Sequence, residues 1–237
     1  MSGSNGSCFI ENCQACKNRD ERAFCNLSPE ALRSLDQISY SVTYPEHAMI
    51  FTADAPCHGV FLLCAGRAKL STASRDEKKV MLQVASAGEV LGLSSVLSGS
   101  HYEVSAETLS PSVLRLMKRD DFLRFLHRFP ETSFRLLGAL GQEYTVALQS
   151  LRSLAWFPTA TARVAQLLLH ICEEDAGGER ESKAKLLLTQ EQIAQMTATS
   201  RETVTRLLGQ LRRDRIIAIR GSDLVIRNRA ALEQMAC

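Results

Sequence analysis

The sequence predicts an α+β chain: an antiparallel β sandwich or barrel first, then helices, then a helix pair followed by a hairpin. Three observations lead there. From about Ser39 to Leu116, short apolar runs recur between Gly, Pro, Asp and Ser residues, the spacing of antiparallel strands. From residue 119 the apolar residues step by three and four, a helical period. After Leu188 two short amphipathic segments flank a tight turn and precede two apolar runs joined by Arg220-Gly221-Ser222-Asp223, a strong hairpin signal.

Composition sets the outer limits. The chain has 237 residues, 45% apolar and 23% charged, enough for one or two domains with cores of their own. No apolar run approaches the roughly 18 residues that a membrane span needs. Met1 to Asn12 lacks a basic stretch followed by an apolar one, so no secretory signal is expected and a cytoplasmic location is. The net charge of +2 leaves both nucleic-acid and small-molecule partners open; its distribution matters more than its sum. Eight cysteines in a reducing compartment point to metal or redox chemistry rather than to structural disulfides. Cys8, Cys13, Cys16 and Cys25 crowd the first 25 residues, while Cys57, Cys64, Cys172 and Cys237 are scattered.

Residues 1–27 are polar, Asn- and Ser-rich and cysteine-dense, and read as an arm with little core of its own. Ser28 and Pro29 open a helix as N-cap and first residue, with Ala31, Leu32 and Leu35 on one face. The strand candidates follow: Met49 to Phe51, Val60 to Leu63, Val80 to Leu82, Val90-Leu91 and Ser112 to Leu114. Asp120 and Asp121 lead into a helix carrying Phe122, Phe125 and Leu126. Beyond Pro130 a longer helix carries Leu137, Leu140, Tyr144, Leu148 and Leu151, an a/d-like seam over about two heptads. Such a seam packs either on its own domain or on a second copy. Phe157-Pro158 breaks the chain as a hinge, an amphipathic helix runs from about Ala160 to Cys172, and Leu186 to Leu188 is a strand candidate.

Thr189 caps the next helix with Gln192 as its capping-box partner. Ile193 and Met196 give that helix an inner face, and the small Ala194 allows close crossing. Thr197-Ala198-Thr199 is the turn, with Ala198 where a positive φ is expected. Ser200 caps the second helix, whose buried stripe is Val204, Leu207, Leu208 and Leu211. Its other face carries Arg201, Glu202, Thr205 and Arg206, four apart in pairs and so on one surface. Arg can bond guanine bidentately and Glu can accept from cytosine in the major groove. Between Ser200 and Arg229, eight arginines, Arg212 and Arg220 among them, stand against three acids, an excess suited to phosphate.

The run Gln190 to Ala194 through Ser200-Arg201-Glu202-Thr203-Val204-Thr205-Arg206-Leu207-Leu208 resembles the winged helix-turn-helix of the Crp–Fnr transcription regulators. The resemblance extends to Gly59–Gly66 and Gly88-Glu89-Val90-Leu91-Gly92, and so to nearly the whole chain. It implies a jelly-roll sensor domain of the cyclic-nucleotide-binding type at 28–130, a dimerisation helix at 131–156 and a winged DNA-binding domain at 157–237. It implies a homodimer with the seam Leu137, Leu140, Tyr144, Leu148 and Leu151 at its interface, reading a two-fold symmetric double-stranded DNA site whose half-sites lie about one helical turn apart. Glu202 and Arg206 match the family's base-reading pair. Arg201 is similar to the cyclic-AMP receptor branch and Thr205 stands where the Fnr branch has Ser, so TGTGA-like and TTGAT-like half-sites both remain open. Contact with RNA polymerase is implied by the resemblance alone.

The effector pocket is left unknown, but two classes can be weighed. In the family's phosphate cassette, Gly-Glu is followed ten residues after the Glu by Arg-Ser. Here the aligned positions hold Gly92-Leu93 and Glu103-Val104. The ribose carboxylate is gone and an acid replaces the phosphate-binding Arg, which argues against a cyclic nucleotide. The cysteines resemble instead the oxygen-sensing Fnr branch, whose amino-terminal thiolates hold a 4Fe-4S cluster. Cys13, Cys16, Cys25 and Cys8 are the candidate ligands, with Cys57, Cys64 or a carboxylate as other sources of a fourth; the aligned family position is Leu114. Zinc, a thiol redox switch, and a metal-free regulator answering to a small molecule stay open beside it.

No Gly-rich phosphate loop, HExxH or GxSxG stretch occurs, so an enzyme is not expected. The rival to a DNA-binding regulator is a ligand- or redox-binding module whose basic tail is incidental. In the regulator reading, an effector event in the first half changes how the long helices pair and swings the DNA-binding domains about Phe157-Pro158.

Overall fold

The computed structural model describes residues 13–16, 22, 24–73, 79–157, 159–175 and 183–236. Cys8, Cys237 and Pro158 lie outside them, as do the side chains at Leu151 and its neighbours. The elements run α1 Pro29–Ile38, β1 Ser39–Tyr44, β2 Met49–Phe51, β3 Gly59–Ala65, β4 Arg67–Ala73, β5 Lys79–Ser86, β6 Val90–Leu91, α2 Leu93–Ser98, β7 Ser105–Thr108, β8 Ser112–Lys118, α3 Arg119–Arg128, α4 Pro130–Trp156, α5 Ala160–Asp175, β9 Lys183–Lys185, α6 Gln190–Met196, α7 Arg201–Arg213, β10 Ile217–Arg220, β11 Asp223–Ile226 and α8 Arg229–Met235. The chain divides into two compact units, Met1–Thr72 with Leu82–Thr145 and Ala73–Met81 with Val146–Cys237.

The first unit is built on two four-stranded sheets, β1-β8-β3-β6 and β2-β7-β4-β5, with antiparallel pairing. Between them lies a core of Phe51, Phe61, Leu63, Leu91, Tyr102 and Leu114. Strand β3 is buried on both faces, which is why it reads as a continuous apolar run rather than an alternation. Its odd residues face the sandwich. Val60, Leu62 and Cys64 face a second core with Leu32, Leu35, Phe122 and Phe125 from α1 and α3. α1 starts as its sequence dictates: the Ser28 hydroxyl accepts from the Ala31 N–H at 3.3 Å, Pro29 fills the first helical position, and Ala31, Leu32 and Leu35 are buried.

The described part of the N-terminal stretch is no loose arm. Cys13, Phe24 and Cys25 are buried in that second core. Three apolar side chains in an otherwise polar stretch suffice to dock it once a sheet and two helices offer a face to cover.

In the second unit, β10, β11 and β9 form one antiparallel sheet packed on α5, α6, α7 and α8. The strand expected at Leu186–Leu188 lies instead at Lys183–Lys185, where Ala184 pairs with Leu224 and alone of the three is buried. The leucines follow it without strand structure: Leu186 and Leu188 pack on the core and Leu187 is exposed. Hydrophobicity marked burial there, not extended pairing.

Candidate nucleic-acid interface and sensor site

α6 and α7 are assembled by local rules. Thr189 Oγ1 accepts from the Gln192 N–H at 3.2 Å, and Gln192 Oε1 accepts from the Thr189 N–H at 2.8 Å, closing the capping box. Ser200 Oγ accepts from the Thr203 N–H at 3.2 Å and starts α7. Ala198, between them, sits at φ +47°, the left-handed conformation expected at that turn.

Val204, Leu207, Leu208 and Leu211 are buried, so Arg201, Glu202, Thr205 and Arg206 all lie exposed on the opposite side of α7. Thr205 Oγ1 donates toward the Arg201 carbonyl at 2.8 Å and also meets Gln190 Oε1. Gln190 was not singled out in the sequence; its place at the start of α6 brings it to this surface. The backbone N–H at the head of α7 and the Ser200 hydroxyl hold the Glu202 carboxyl below the usual carboxylate range, so it is an acceptor at neutral pH. Arg212 and Arg220 are exposed. Arg220 joins Lys183, Lys185 and Arg227 around a hollow of about 570 Å3 on the outer face of the sheet.

The long helix carries an uncovered apolar stripe. Phe134 is 78% exposed, Leu137 63% and Tyr144 66%. Leu140 and Leu148 are half-buried. Beside the stripe, Leu97, Leu123, Leu126, Leu136, Leu137 and Leu140 line a groove of about 280 Å3.

Four thiols gather in the first unit. Cys13 and Cys25 share the helix-side core with Cys64, which the two-residue period of β3 turns to that face. Arg22 ties Cys16 to this group: its Nη1 lies 3.9 Å from Cys16 Sγ and 3.1 Å from the Cys64 carbonyl. Burial pushes the Cys25 and Cys64 thiols up to about 11, against the pull of Arg22 on Cys25 and of Arg115 and then Arg22 on Cys64. Burial raises Cys13 further, with Arg115 opposing. Among the described residues, no three His, Cys, Asp or Glu side chains stand close enough to share one metal ion. Cys57 is half-buried and Cys172 is fully buried in the other unit's core.

Three acidic side chains of the first unit, Glu89, Glu103 and Glu143, stand within electrostatic reach of one another. Glu103 accepts from Ser94 Oγ at 2.9 Å, and Glu89 accepts from Gln83 Nε2 and the Ser86 N–H, each at 2.9 Å. Burial and then the charges of Glu103 and Glu89 push Glu143 of α4 up to about 7.

Residues 41–129 match the model of the cyclic nucleotide-binding domain, and residues 162–235 match the Crp-like helix-turn-helix domain. The chain is 26% identical over 216 residues to the "CRP-like cAMP-activated global transcriptional regulator" of Mycobacterium tuberculosis, covering 90% of this chain and 95% of that one. It is 26% identical over 223 residues to the "Transcriptional activator protein FnrL" of Cereibacter sphaeroides, covering 92% and 88%. Its fold resembles FixK2 from Bradyrhizobium japonicum, with a TM-score of 0.69 at 23% identity over 84% of this chain and 98% of that one. It also resembles a CooA mutant from Carboxydothermus hydrogenoformans, with a TM-score of 0.73 at 20% identity over 90% and 92%. These relatives are regulators, not enzymes. Carrying a sensor domain of the one model and a DNA-binding domain of the other, the chain belongs to the Crp–Fnr family of transcription regulators.

Proposed function

We propose that the protein works as a homodimer that reads a two-fold symmetric DNA site through Arg201, Glu202, Thr205 and Arg206 of α7, under control of an effector sensed in the first unit. One observation carries the reading. α7 buries its whole apolar stripe and leaves those four base-reading side chain types together on its outer face. Thr189, Ser200, Arg212 and Arg220 supply phosphate contacts around them. The exposed Phe134, Leu137 and Tyr144 support pairing of the 131–156 helix with a second copy, because side chains of that size are rarely left in water. The functional parts are then a sensor at 28–130, the dimerisation helix, and a DNA-binding part at 157–237. A protein reading chromosomal DNA belongs in the cytoplasm, and RNA polymerase is the partner that a transcription regulator would contact. The test is Arg206→Ala. It should lower affinity for the selected site by about 1–3 kcal/mol while sparing binding to random DNA. Equal affinities of variant and wild type would sink the reading.

For the effector, the thiols favour a 4Fe-4S cluster over a cyclic nucleotide. Glu103 stands where the phosphate-binding Arg aligns and puts negative charge where a cyclic phosphate would need a cation. The donor set fits a cluster: Cys13, Cys25 and Cys64 face one core, Cys16 is tied to them by Arg22, and Arg22 and Arg115 offset thiolate charge. Zinc is the other metal these thiols could take, and its ligands would have to converge on one point. Cys64 is the candidate fourth ligand among the described residues, beside Cys8, which lies outside them. When bound, the cluster would supply sensitivity to oxygen; the chain's own part is to hold the thiols and shield them. Anaerobic purification should give a coloured protein with about four iron per chain that bleaches in air. A colourless, iron-free product would turn the reading to a metal-free regulator answering to a small molecule.

A further inference from the structure

We propose that Arg163 fixes the direction of the recognition helix α7 relative to the end of the long helix α4, and so is a positioning residue for reading two half-sites at once. The inference rests on the dimeric reading above. Arg163 stands in the first turn of α5. Its Nη1 donates to the Phe157 carbonyl at 2.9 Å, its Nε to the Thr197 carbonyl at 2.7 Å, and its Nη2 reaches the Ala198 carbonyl at 3.5 Å. Phe157 is the residue directly after α4. Thr197 closes α6, and Ala198 is the turn into α7.

The chemistry suits that place. The last carbonyls of a helix have no N–H partner within the helix and carry its partial negative charge. One guanidinium here serves the C-terminal ends of two helices, α4 and α6. The fork is planar, permanently charged and rigid, so the two ends are held at a set separation and angle. α7 follows from that turn, because Ala198 and the Ser200 cap leave it little freedom. Lys cannot do the same: an ammonium offers its donors from one point and cannot span both carbonyl groups.

A dimer reads two half-sites only if both recognition helices are presented at the right angle together. Loss of the clamp should therefore cost the full site more than a single half-site. A merely structural role would instead lower the folded fraction and weaken both by the same factor.

The experiment uses the full-length protein. One probe is a two-fold duplex recovered by wild-type protein from a randomised pool; the other is the same duplex with one half scrambled. Arg163→Gln should cut the preference for the full over the half site by about tenfold, the worth of a lost charge-assisted hydrogen bond. Its half-site affinity should stay near wild type. Arg163→Lys should regain only part of the preference, and it decides the matter by the same ratio should the Gln variant not fold. Arg206→Ala should weaken both probes. A wild-type preference retained in the Arg163 variants, with Arg206→Ala still impaired, overturns the inference alone. A wild-type protein that binds both probes equally overturns the dimeric reading and the inference with it.

Discussion

Asp36 and Arg115 form an ion pair at 2.7 Å inside the first unit, with the Arg115 side chain 5% exposed and Asp36 21%. Arg115 Nη1 also donates to Ser39 Oγ at 2.8 Å. The same carboxylate accepts the Cys13 backbone N–H, at 2.8 and 3.1 Å to its two oxygens. One side chain of α1 therefore holds both a cation of the β8 strand and the head of the cysteine segment. The segment is docked by charge as well as by burial of Cys13, Phe24 and Cys25.

Removing the carboxylate takes the Asp36 ion pair from a buried Arg115, a loss that typically costs about 3 kcal/mol or more. Asp36→Asn keeps an oxygen for Cys13 but not the charge. Asp36→Ala removes both. Urea unfolding should show a large loss in each variant. Thiol labelling of Cys13 should speed up more in Asp36→Ala than in Asp36→Asn. Equal labelling rates in the two would contradict docking through that carboxylate.

What the sequence disclosed follows the range of the interactions. The Thr189–Gln192 box, the Ser200 cap and the stripe Val204, Leu207, Leu208 and Leu211 were legible because each involves neighbours within four residues. Strands β1, β4 and β7 were not: Ser39–Tyr44, Arg67–Ala73 and Ser105–Thr108 are largely polar and are placed by their partners. Cys64 could not be told from Cys57 as a thiol partner until the register of β3 set which face it takes. Arg163 gave no signal at all. Its acceptors are backbone carbonyls, which any sequence supplies, and Thr197 is 34 residues away.

Ala198 at φ +47° keeps a Cβ in a conformation that costs an L-residue roughly 1–2 kcal/mol. Glycine adopts it freely but loses more entropy on folding, so Ala198→Gly should stabilise the fold by a net of about 0.5–1 kcal/mol. Thermal unfolding should show a rise of a few degrees, with the DNA preference unchanged since the turn keeps its shape. A lower melting temperature would mean that the strain is absent.

Leu137 and Tyr144 are exposed on α4 seven positions apart, two turns along one face. Leu137→Glu puts a charge into the proposed seam, opposite its own copy across a two-fold axis. Sedimentation should show a monomer where wild type is a dimer, with the fold intact by circular dichroism. Full-site DNA affinity should fall with the dimer. A variant that remains dimeric would move the interface off this face.

Glu143 gives the protein a pH signature. Burial, then Glu103 and Glu89, push its carboxyl up to about 7, against an ordinary value of 4.5. Between those two values the folded chain holds a proton that the unfolded chain has released. Stability from this group is therefore present in full below the lower value and is lost as pH rises toward the upper one. Glu143→Gln fixes the neutral form and should remove that slope. Urea midpoints at pH 5, 6, 7 and 8 should run nearly together at the acid end and diverge upward, the variant being the more stable at pH 8. Curves that stay parallel across the series would show that Glu143 ionises in the folded state as easily as in water, and that Glu103 and Glu89 do not act on it.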